Sequence, residues 1–336
     1  DNPPFTALRM VELLREAGLP EDVCTVVTGD GAEVGGALTE RVDYITFTGS
    51  TETGRIVGEA AGRNLIDCSL ELGGKNPLLV LEDADIEEAV RGTIQACFTN
   101  AGQLCLSAER VYVAESVYED FLDALVEATE DLTLGTSFDY DVDVGSIINE
   151  TQFELVASHV EDARERGATV HTGGEKRTDV GPYFYAPTVL TDVPDDALAC
   201  CEETFGPVIS VEPVASEAEA IAAANDSDRG LNGSVWTEDI EHGKEVARQI
   251  DCGAVSVNDG YAAAYAAADA PMGGMKDSGV GRRHGPEGLK RYVEPKTVAT
   301  SRIGPIDRHP LLPGKLYAAG SLRLSKAFRR LRKALR

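Results

Sequence analysis

Two short segments carry side chains whose types and positions could do chemistry. Glu71 lies in LELGGK (70–75), one residue before two glycines, and Cys105 ends NAGQLC (100–105). A glutamate within one water of a reacting carbon can act as a general base. A thiolate beside free backbone amides is a strong nucleophile. Each residue also has an ordinary interpretation, Glu71 as an ion-pair partner or cap and Cys105 as a packed thiol.

A third segment, FTGSTETGRIV (47–57), has the form of a phosphate-binding turn. A predicted strand ends at Phe47, Gly49 and Ser50 turn the chain, and a helix follows. Free amides at that helix start suit a pyrophosphate, and Gly54 lets the helix pack closely on a neighbour or ligand. An ordinary capped helix explains the same residues. The glycines of TGDGAEVGG (28–36) fit a dinucleotide fingerprint less well, because the third one comes a residue too late.

The elements that must position these residues alternate between strand and helix patterns. The predicted strands are VCTVV (23–27), YITF (44–47), CSLEL (68–72), NPLLVL (76–81) and RVYV (110–113). The predicted helices are FTALRMVELLREAG (5–18), ALTERV (37–42), STETGRIVGEAAGRN (50–64), IEEAVRGTIQACFTNAG (86–102), VYEDFLDALVEATEDL (117–132), EAEAIAAAND (217–226) and GKEVARQI (243–250). This rhythm predicts an α/β fold with a parallel sheet and crossover helices.

The charge of the chain is strongly negative and unevenly distributed. The formal net charge is −26, from 31 basic and 57 acidic residues. Residues 308–336 hold nine of the basic residues and no acid, which leaves 22 basic against 57 acidic residues, a charge of −35, in 1–307. Such a body argues against nucleic-acid binding and favours adaptation to concentrated salt, with an ordinary acidic protein as the alternative. We expect a cytoplasmic protein, because no apolar run is long enough to span a membrane and no leader precedes the first helix.

The cysteines and acids indicate neither disulfides nor a metal. Seven cysteines, an odd number without zinc-type pairs, are expected to be mostly buried thiols. The acidic run DYDVDVGSIINE (139–150) spaces its acids like a calcium loop, but Val144 stands where that loop needs glycine.

Taken together and in this order, the glycine turn, LELGG and GQLC resemble the aldehyde dehydrogenase superfamily. EETFGPV (202–208), VNDG (257–260), APMGGMKDSGVGR (270–282) and EPKTV (294–298) extend the resemblance to about residue 300. CSLELGGKNP (68–77), GPYFYAPT (181–188) and the run on to RRHG (282–285) are most similar to the succinate-semialdehyde dehydrogenase branch.

The resemblance implies a role for each matching residue. Cys105 matches the nucleophile, and Glu71 matches the base that activates the water of deacylation. Gly49, Ser50 and Gly54 match the cofactor turn. Glu203 matches the acid that holds the nicotinamide ribose, and Phe205 matches the residue packed beside the nicotinamide. Lys75 has an expected structural role. The implied reaction is oxidation of an aldehyde to an acid through a cysteine thioester, with NAD or NADP and with succinate semialdehyde as the favoured substrate.

The sequence departs from the family pattern in two places. The family's side-chain oxyanion donor, an asparagine, and its adenosine-binding lysine would precede Asp1. We therefore expect little activity from the 336 residues alone, and a non-catalytic binding or assembly subunit is the alternative. The second departure is Arg283, where many relatives carry glutamate. An arginine can pair with a carboxylate in a forked geometry, which suits a substrate with a distal acid; a surface ion pair is the other interpretation.

The resemblance also implies a division of the chain. Residues 1–73 would be the end of a Rossmann-type cofactor domain, and 74–292 the catalytic domain with a return to the cofactor domain near its end. Residues 293–307 would contain an oligomerisation strand of a homodimer or homotetramer. Residues 308–336 form a basic amphipathic tail, with Leu324, Phe328, Leu331 and Leu335 on one face. We expect this tail to dock on acidic protein or to be disordered rather than to contact a membrane.

Overall fold

The computed structural model describes residues 4–137, 139–302 and 313–334, in two compact units that meet in sequence at Tyr292 and Val293. The helices are α1 (Phe5–Glu16), α2 (Gly36–Thr39), α3 (Thr51–Asn64), α4 (Ile86–Phe98), α5 (Tyr118–Glu130), α6 (Glu150–Glu165), α7 (Leu198–Cys201), α8 (Glu217–Asn225), α9 (Ile240–Ala247), α10 (Ala262–Ala266), α11 (Gly285–Lys290) and α12 (Gly314–Ala334). The strands are β1 (Tyr44–Thr48), β2 (Asp67–Glu71), β3 (Asn76–Val80), β4 (Ala108–Ala114), β5 (Thr169–Thr172), β6 (Thr188–Thr191), β7 (Val208–Val214), β8 (Arg229–Gly230), β9 (Asn232–Trp236), β10 (Ala254–Val257), β11 (Met275–Lys276) and β12 (Gly279–Val280).

A seven-stranded sheet forms the centre of the first unit. Its strand order is β10-β9-β3-β4-β7-β6-β5, and every neighbouring pair is parallel except β5 with β6. Leu78 and Leu79 of β3 are both fully buried, yet they belong to different apolar clusters. Since alternate residues of a strand point to opposite faces, the sheet is covered on both sides, which a parallel sheet requires. The predicted α/β fold is confirmed.

A smaller sheet places the ends of two strands beside each other. Strands β1 and β2 run parallel, with Thr48 opposite Glu71, and β12 pairs antiparallel with β2. Both β1 and β2 therefore deliver their carboxyl ends to the same edge, where α/β sheets bind ligands.

The predicted strand at 23–27 does not form. This segment has no regular structure, and Val23 and Val27 are exposed. A strand is held by hydrogen bonds to a neighbour, and β1, the nearest strand along the chain, pairs only with β2 among the described residues. The apolar run favours a strand, but within the described residues no neighbouring strand forms hydrogen bonds with it.

The second unit consists of an irregular segment and one helix. Residues 293–302 form no strand or helix, and 303–312 lie outside the described residues, so the oligomerisation strand stays a prediction. Helix α12 exposes Leu324, Phe328 and Leu331, while Leu335 of the predicted face lies outside the described residues. Of the helices in the described ranges, none combines the length and apolar content needed to cross a membrane.

Candidate active site

The predicted cofactor turn connects β1 to α3 at the edge where β2 ends. The Ser50 side chain caps α3 by accepting a hydrogen bond from the Thr53 amide at 3.3 Å. The Gly49 amide donates to the Glu71 carbonyl at 3.1 Å, which fixes the turn beside the predicted base. Gly54 is buried in the first turns of α3, against the Leu72 side chain. Gly54 therefore brings α3 onto the strand that carries Glu71.

Glu71 is a buried carboxylate at the end of β2. Only 4% of the residue is exposed, and its Oε1 accepts no hydrogen bond from the described residues. Burial raises the pKa of Glu71, while Arg283, Arg291 and Arg282 lower it. The nearest cation is Arg283, whose Nε lies 3.4 Å from Oε1. A carboxylate oxygen without a donor, held among cations, is suited to accept a proton from water.

Cys105 follows a strained turn after α4. Asn100 and Ala101 both have φ of 55° in the left-handed region, a conformation that costs free energy and occurs preferentially at functional sites. Gly102 continues the turn with φ of 70°, and a Cβ there would lie 2.1 Å from the Gly206 carbonyl oxygen. The turn thus brings the cysteine loop directly against the segment that contains Glu203.

The Cys105 loop is anchored to the central sheet by one side chain. Asn76 Nδ2 donates to the carbonyls of Cys105 at 2.8 Å and Ser107 at 2.7 Å, and Asn76 Oδ1 accepts from the Asn232 amide at 3.0 Å. Asn76 therefore ties the loop to the starts of β3 and β9, which are buried and rigid.

The thiol of Cys105 differs from the other buried thiols by its position. Burial raises its pKa, with further increases from Glu203 and Glu71, while its own backbone amide and Arg283 lower it. Cys97 and Cys252 are also buried and have raised pKa values, Cys252 to about 11, and they lie within the two large clusters on the faces of the central sheet. Cys105 is half-buried against the small cluster of Leu106, Leu231 and Met272, and both Glu71 and Glu203 are close enough to act on its pKa.

Glu203 approaches the same place from the loop between α7 and β7. Its Oε1 accepts from the Gly74 amide at 3.0 Å, and a Cβ on Gly73 would lie only 2.0 Å from its Oε2. A Cβ on Gly74 would lie 2.7 Å from the Cys105 carbonyl oxygen. The two glycines therefore allow Glu203 and Cys105 to close around one turn. Burial, followed by repulsion from Glu109, raises the pKa of Glu203 to about 7.

The structure thus brings most of the predicted residues together. Glu71, Cys105 and Glu203 surround the Gly73–Gly74 turn, and Phe205 follows Glu203 with φ of 48°. Arg283 lies beside them, 30% exposed, and its guanidinium also donates to the Thr48 hydroxyl. Gly49 and Ser50 occupy the adjoining edge of the small sheet.

Comparison with known proteins identifies the family. A sequence model described as the aldehyde dehydrogenase family matches residues 1–298. The chain belongs to the aldehyde dehydrogenase family. A Mycolicibacterium smegmatis protein named "Putative succinate-semialdehyde dehydrogenase", with NADP(+) as cofactor in its name, is 48% identical over 98% of this chain and 63% of its own length.

Solved aldehyde dehydrogenases share the fold. The structure resembles betaine aldehyde dehydrogenase of Staphylococcus aureus in complex with NAD+, with a TM-score of 0.81 and 38% identity, over 86% of this chain and 58% of that one. It also resembles a mutant aldehyde dehydrogenase of Bacillus cereus, with a TM-score of 0.82 and 40% identity, over 87% and 59% of the two chains. This aldehyde dehydrogenase chain therefore spans less than two thirds of the length of these relatives.

The residues present fit a nicotinamide dinucleotide. The first turn of α3 leaves the amides of Thr51 and Glu52 without an acceptor inside the helix, as every helix start does, and such amides bind phosphate oxygens. The half-buried carboxylate of Glu203 has an oxygen suited to accept hydrogen bonds from ribose hydroxyls, because the Gly74 amide is bonded to its other oxygen.

Lys75 was expected to have a structural role, whereas three residues that support this candidate site, Glu109, Gln152 and His159, were missed from the sequence. Lys75 and Glu109 form a buried ion pair of 2.6 Å, and Gln152 and His159 contact the segment after Glu203. An acid inside the apolar run LSAERVYV (106–113) was a visible signal for Glu109. Gln152 and His159 lie on an ordinary amphipathic helix, α6, and gave no such signal.

Proposed function

We propose that this protein oxidises an aldehyde to a carboxylic acid through a thioester on Cys105, with NAD or NADP as hydride acceptor. The observation that carries the proposal is the convergence of a half-buried thiol and a buried carboxylate with a free oxygen on the Gly73–Gly74 turn. In such a site the thiol can act as the nucleophile, and the carboxylate, which pairs with Arg283 at 3.4 Å but accepts no hydrogen bond at Oε1 from the described residues, can act on water.

The chain's own residues account for the sequence of steps. The Cys105 thiolate adds to the aldehyde carbon and forms a thiohemiacetal, whose oxyanion accepts a hydrogen bond from the Cys105 amide. The bound cofactor supplies the acceptor for the hydride that leaves this carbon. The product on Cys105 is a thioester. Glu71 then takes a proton from water, the resulting hydroxide attacks the thioester carbon, and the acid leaves as the thiolate is restored.

We infer that succinate semialdehyde is the substrate and that Arg283 binds its distal carboxylate. The support is the name of the M. smegmatis relative together with an arginine beside the base that is 30% exposed. Arg283 is already within 3.4 Å of Glu71, so it would serve both the base and the substrate.

We further propose a cytoplasmic homo-oligomer, a dimer or tetramer, adapted to concentrated salt. The support for salt adaptation is the charge of −35 on residues 1–307, which salt screens. The tail is proposed to dock on acidic protein. The match to the M. smegmatis relative covers 328 of the 336 residues, so it extends beyond residue 298, where the family match ends. Part of the tail is therefore included in the match to that relative.

Replacing the nucleophile tests the reaction. In a form extended to the full length of the relatives, Cys105→Ala should abolish aldehyde-dependent formation of NADPH or NADH, and mass spectrometry under acid quench should show an acyl adduct on Cys105 of the unmodified protein only. Cys201→Ala is the matched control, because its thiol is exposed and bonds only the Asp195 carbonyl; it should retain turnover. Turnover by the Cys105 variant would refute the proposal.

A further inference from the structure

The segment Glu203–Phe205, which we name the cofactor segment, is held by side chains rather than by a sheet. Its Thr204 and Phe205 amides both donate to the Glu109 carboxylate, at 2.9 to 3.1 Å. The carbonyls of the same two residues accept from Gln152 Nε2 at 2.9 and 3.0 Å. Every backbone polar group of these two residues therefore depends on two side chains, one from β4 and one from α6.

Glu109 is in turn fixed by a single cation. Lys75 Nζ lies 2.6 Å from Glu109 Oε2, and the two residues are 2% and 4% exposed. The Lys75 carbonyl accepts two hydrogen bonds from Arg110, at 3.1 and 2.9 Å. Since Lys75 directly follows the Gly73–Gly74 turn, one ion pair connects that turn to the cofactor segment.

Burial of the Lys75–Glu109 ion pair costs free energy, so the pair is not explained by a contribution to stability. Two buried charges lose their hydration, and their attraction regains this only with good geometry and further hydrogen bonds. Here the further hydrogen bonds come from the cofactor segment. The segment in turn needs them, because Phe205 has φ of 48° and cannot join a strand in that conformation.

We propose that Lys75 and Glu109 are positioning residues, which hold the cofactor segment in the shape that binds the nicotinamide ribose. The inference rests on the proposed function, since it takes Glu203 as the ribose ligand. Neither Lys75 nor Glu109 touches the reacting atoms; both act through the backbone at Thr204 and Phe205.

The first test measures the segment without any cofactor. Hydrogen exchange of a peptide covering residues 202–207 should be faster in Glu109→Ala and in Lys75→Met, with exchange in β6 unchanged. Glu212→Gln is the matched control, because Glu212 is a partly buried glutamate that accepts from a single amide, that of Val193, at 3.2 Å. Unchanged exchange at 202–207 in both variants would overturn the proposed hold on the segment, whatever the protein catalyses.

The second test measures cofactor binding and thiol chemistry separately. Loss of the acceptor for two buried amides should weaken binding of NADPH or NADH about tenfold or more in Glu109→Ala. Alkylation of Cys105 by iodoacetamide without cofactor should change less than about twofold, because Asn76, not Glu109, anchors the cysteine loop. Equal losses in both measurements would show general damage and overturn the positioning role.

A double variant keeps the proposal testable if Glu109→Ala does not fold. Lys75→Met with Glu109→Gln removes both charges and keeps one acceptor oxygen, so it should bind cofactor better than Lys75→Met or Glu109→Gln alone. Additive losses would contradict the coupling. If a form extended to the full length of the relatives binds neither NADPH nor NADH, the proposed function fails, and the exchange experiment alone then decides the role of the pair.

A pH profile of cofactor binding tests whether Glu109 lies close enough to act on Glu203. The charged groups that face Glu203 are Glu109, Arg229, Lys75 and the Cys105 thiol. Removing the Glu109 charge lowers the pKa of Glu203. Because the ionised carboxylate accepts the hydrogen bonds of the ribose, cofactor affinity should fall as the solution is acidified, and in Glu109→Gln this fall should occur at a lower pH than in the unmodified protein. An unshifted midpoint would contradict the placement of Glu109 beside Glu203, on which the proposal depends.

Discussion

Two glutamates face the same thiol from different sides, and their surroundings differ. Glu71 ends a strand of the small sheet and is surrounded by arginines, of which Arg283 is nearest. Glu203 lies on a loop of the central sheet, and its strongest charged neighbour is another acid, Glu109. Burial raises the pKa of both residues. Two glutamates can therefore have different roles in one site, because the charges near them have opposite signs.

This difference separates the two roles that the site needs. Cations around Glu71 favour its ionised form, as a base for water must be ionised before it acts. Glu203 titrates near neutral pH and is bonded to the Gly74 amide, which suits a group that only accepts hydrogen bonds from a ligand. Substitutions of the two glutamates, or of the charged residues near them, therefore test which glutamate is the base and which binds the cofactor.

The largest effect is expected from Glu71→Gln. The amide cannot take a proton from water, and loss of a general base typically slows a step by about 10²–10⁴-fold. Thioester formation does not need this base, so one turnover of NADPH or NADH should appear as a burst, followed by stalled turnover. Rapid mixing with absorbance detection measures both phases. Glu203→Gln should keep a steady turnover once cofactor saturates; the same stall in both variants would remove the distinction between the two glutamates.

The second prediction concerns stability, and it sharpens the difference in charge. The pKa of Glu203 is about 7 in the folded chain against an ordinary value of 4.5. Folding therefore favours the protonated form, whose contribution is complete below about pH 4.5 and is lost as pH rises through about 7. The full loss is on the order of 3 kcal/mol.

Urea unfolding at about pH 5.5 and about pH 8 measures this contribution. The free energy of unfolding should fall less between these pH values in Glu203→Gln than in the unmodified protein. Glu212, whose pKa is also raised to about 7 by burial, serves as the comparison: Glu212→Gln should reduce the fall in a similar way without affecting cofactor binding. An identical pH dependence in Glu203→Gln and the unmodified protein would mean that Glu203 is not buried as described.

The sequence predicted the residues that line the candidate site better than the residues that hold them in place. Glu71, Cys105 and Glu203 each lie in a short segment where local glycines or strained turns restrict the backbone, so local sequence specifies much of the geometry. The Lys75–Glu109 pair joins residues 34 positions apart, and Gln152 reaches the segment across 52 positions. Only the packing of α6 and β4 on the sheet brings such residues together.

The fold shows the same limit. Strands with a partner, such as β1, β2, β3 and β4, were predicted within a few residues of their observed bounds. The run at 23–27 is also apolar, but it has no strand partner among the described residues, where it is irregular. Propensity is a local property, whereas a strand needs a second chain segment at hydrogen-bonding distance.

The smallest effect is expected from Arg283→Leu, which makes the surroundings of Glu71 more like those of Glu203. Removal of the cation 3.4 Å from Oε1 raises the pKa of Glu71, so the acid limb of the kcat profile should move to higher pH with any aldehyde. If Arg283 also binds the distal carboxylate, KM for succinate semialdehyde should rise roughly tenfold, and KM for butyraldehyde, which lacks that carboxylate, should not. Arg283→Lys keeps the charge but not the fork, so it should restore the pH profile more fully than the KM. A shifted profile with equal KM changes for both aldehydes would leave Arg283 as a partner of the base alone.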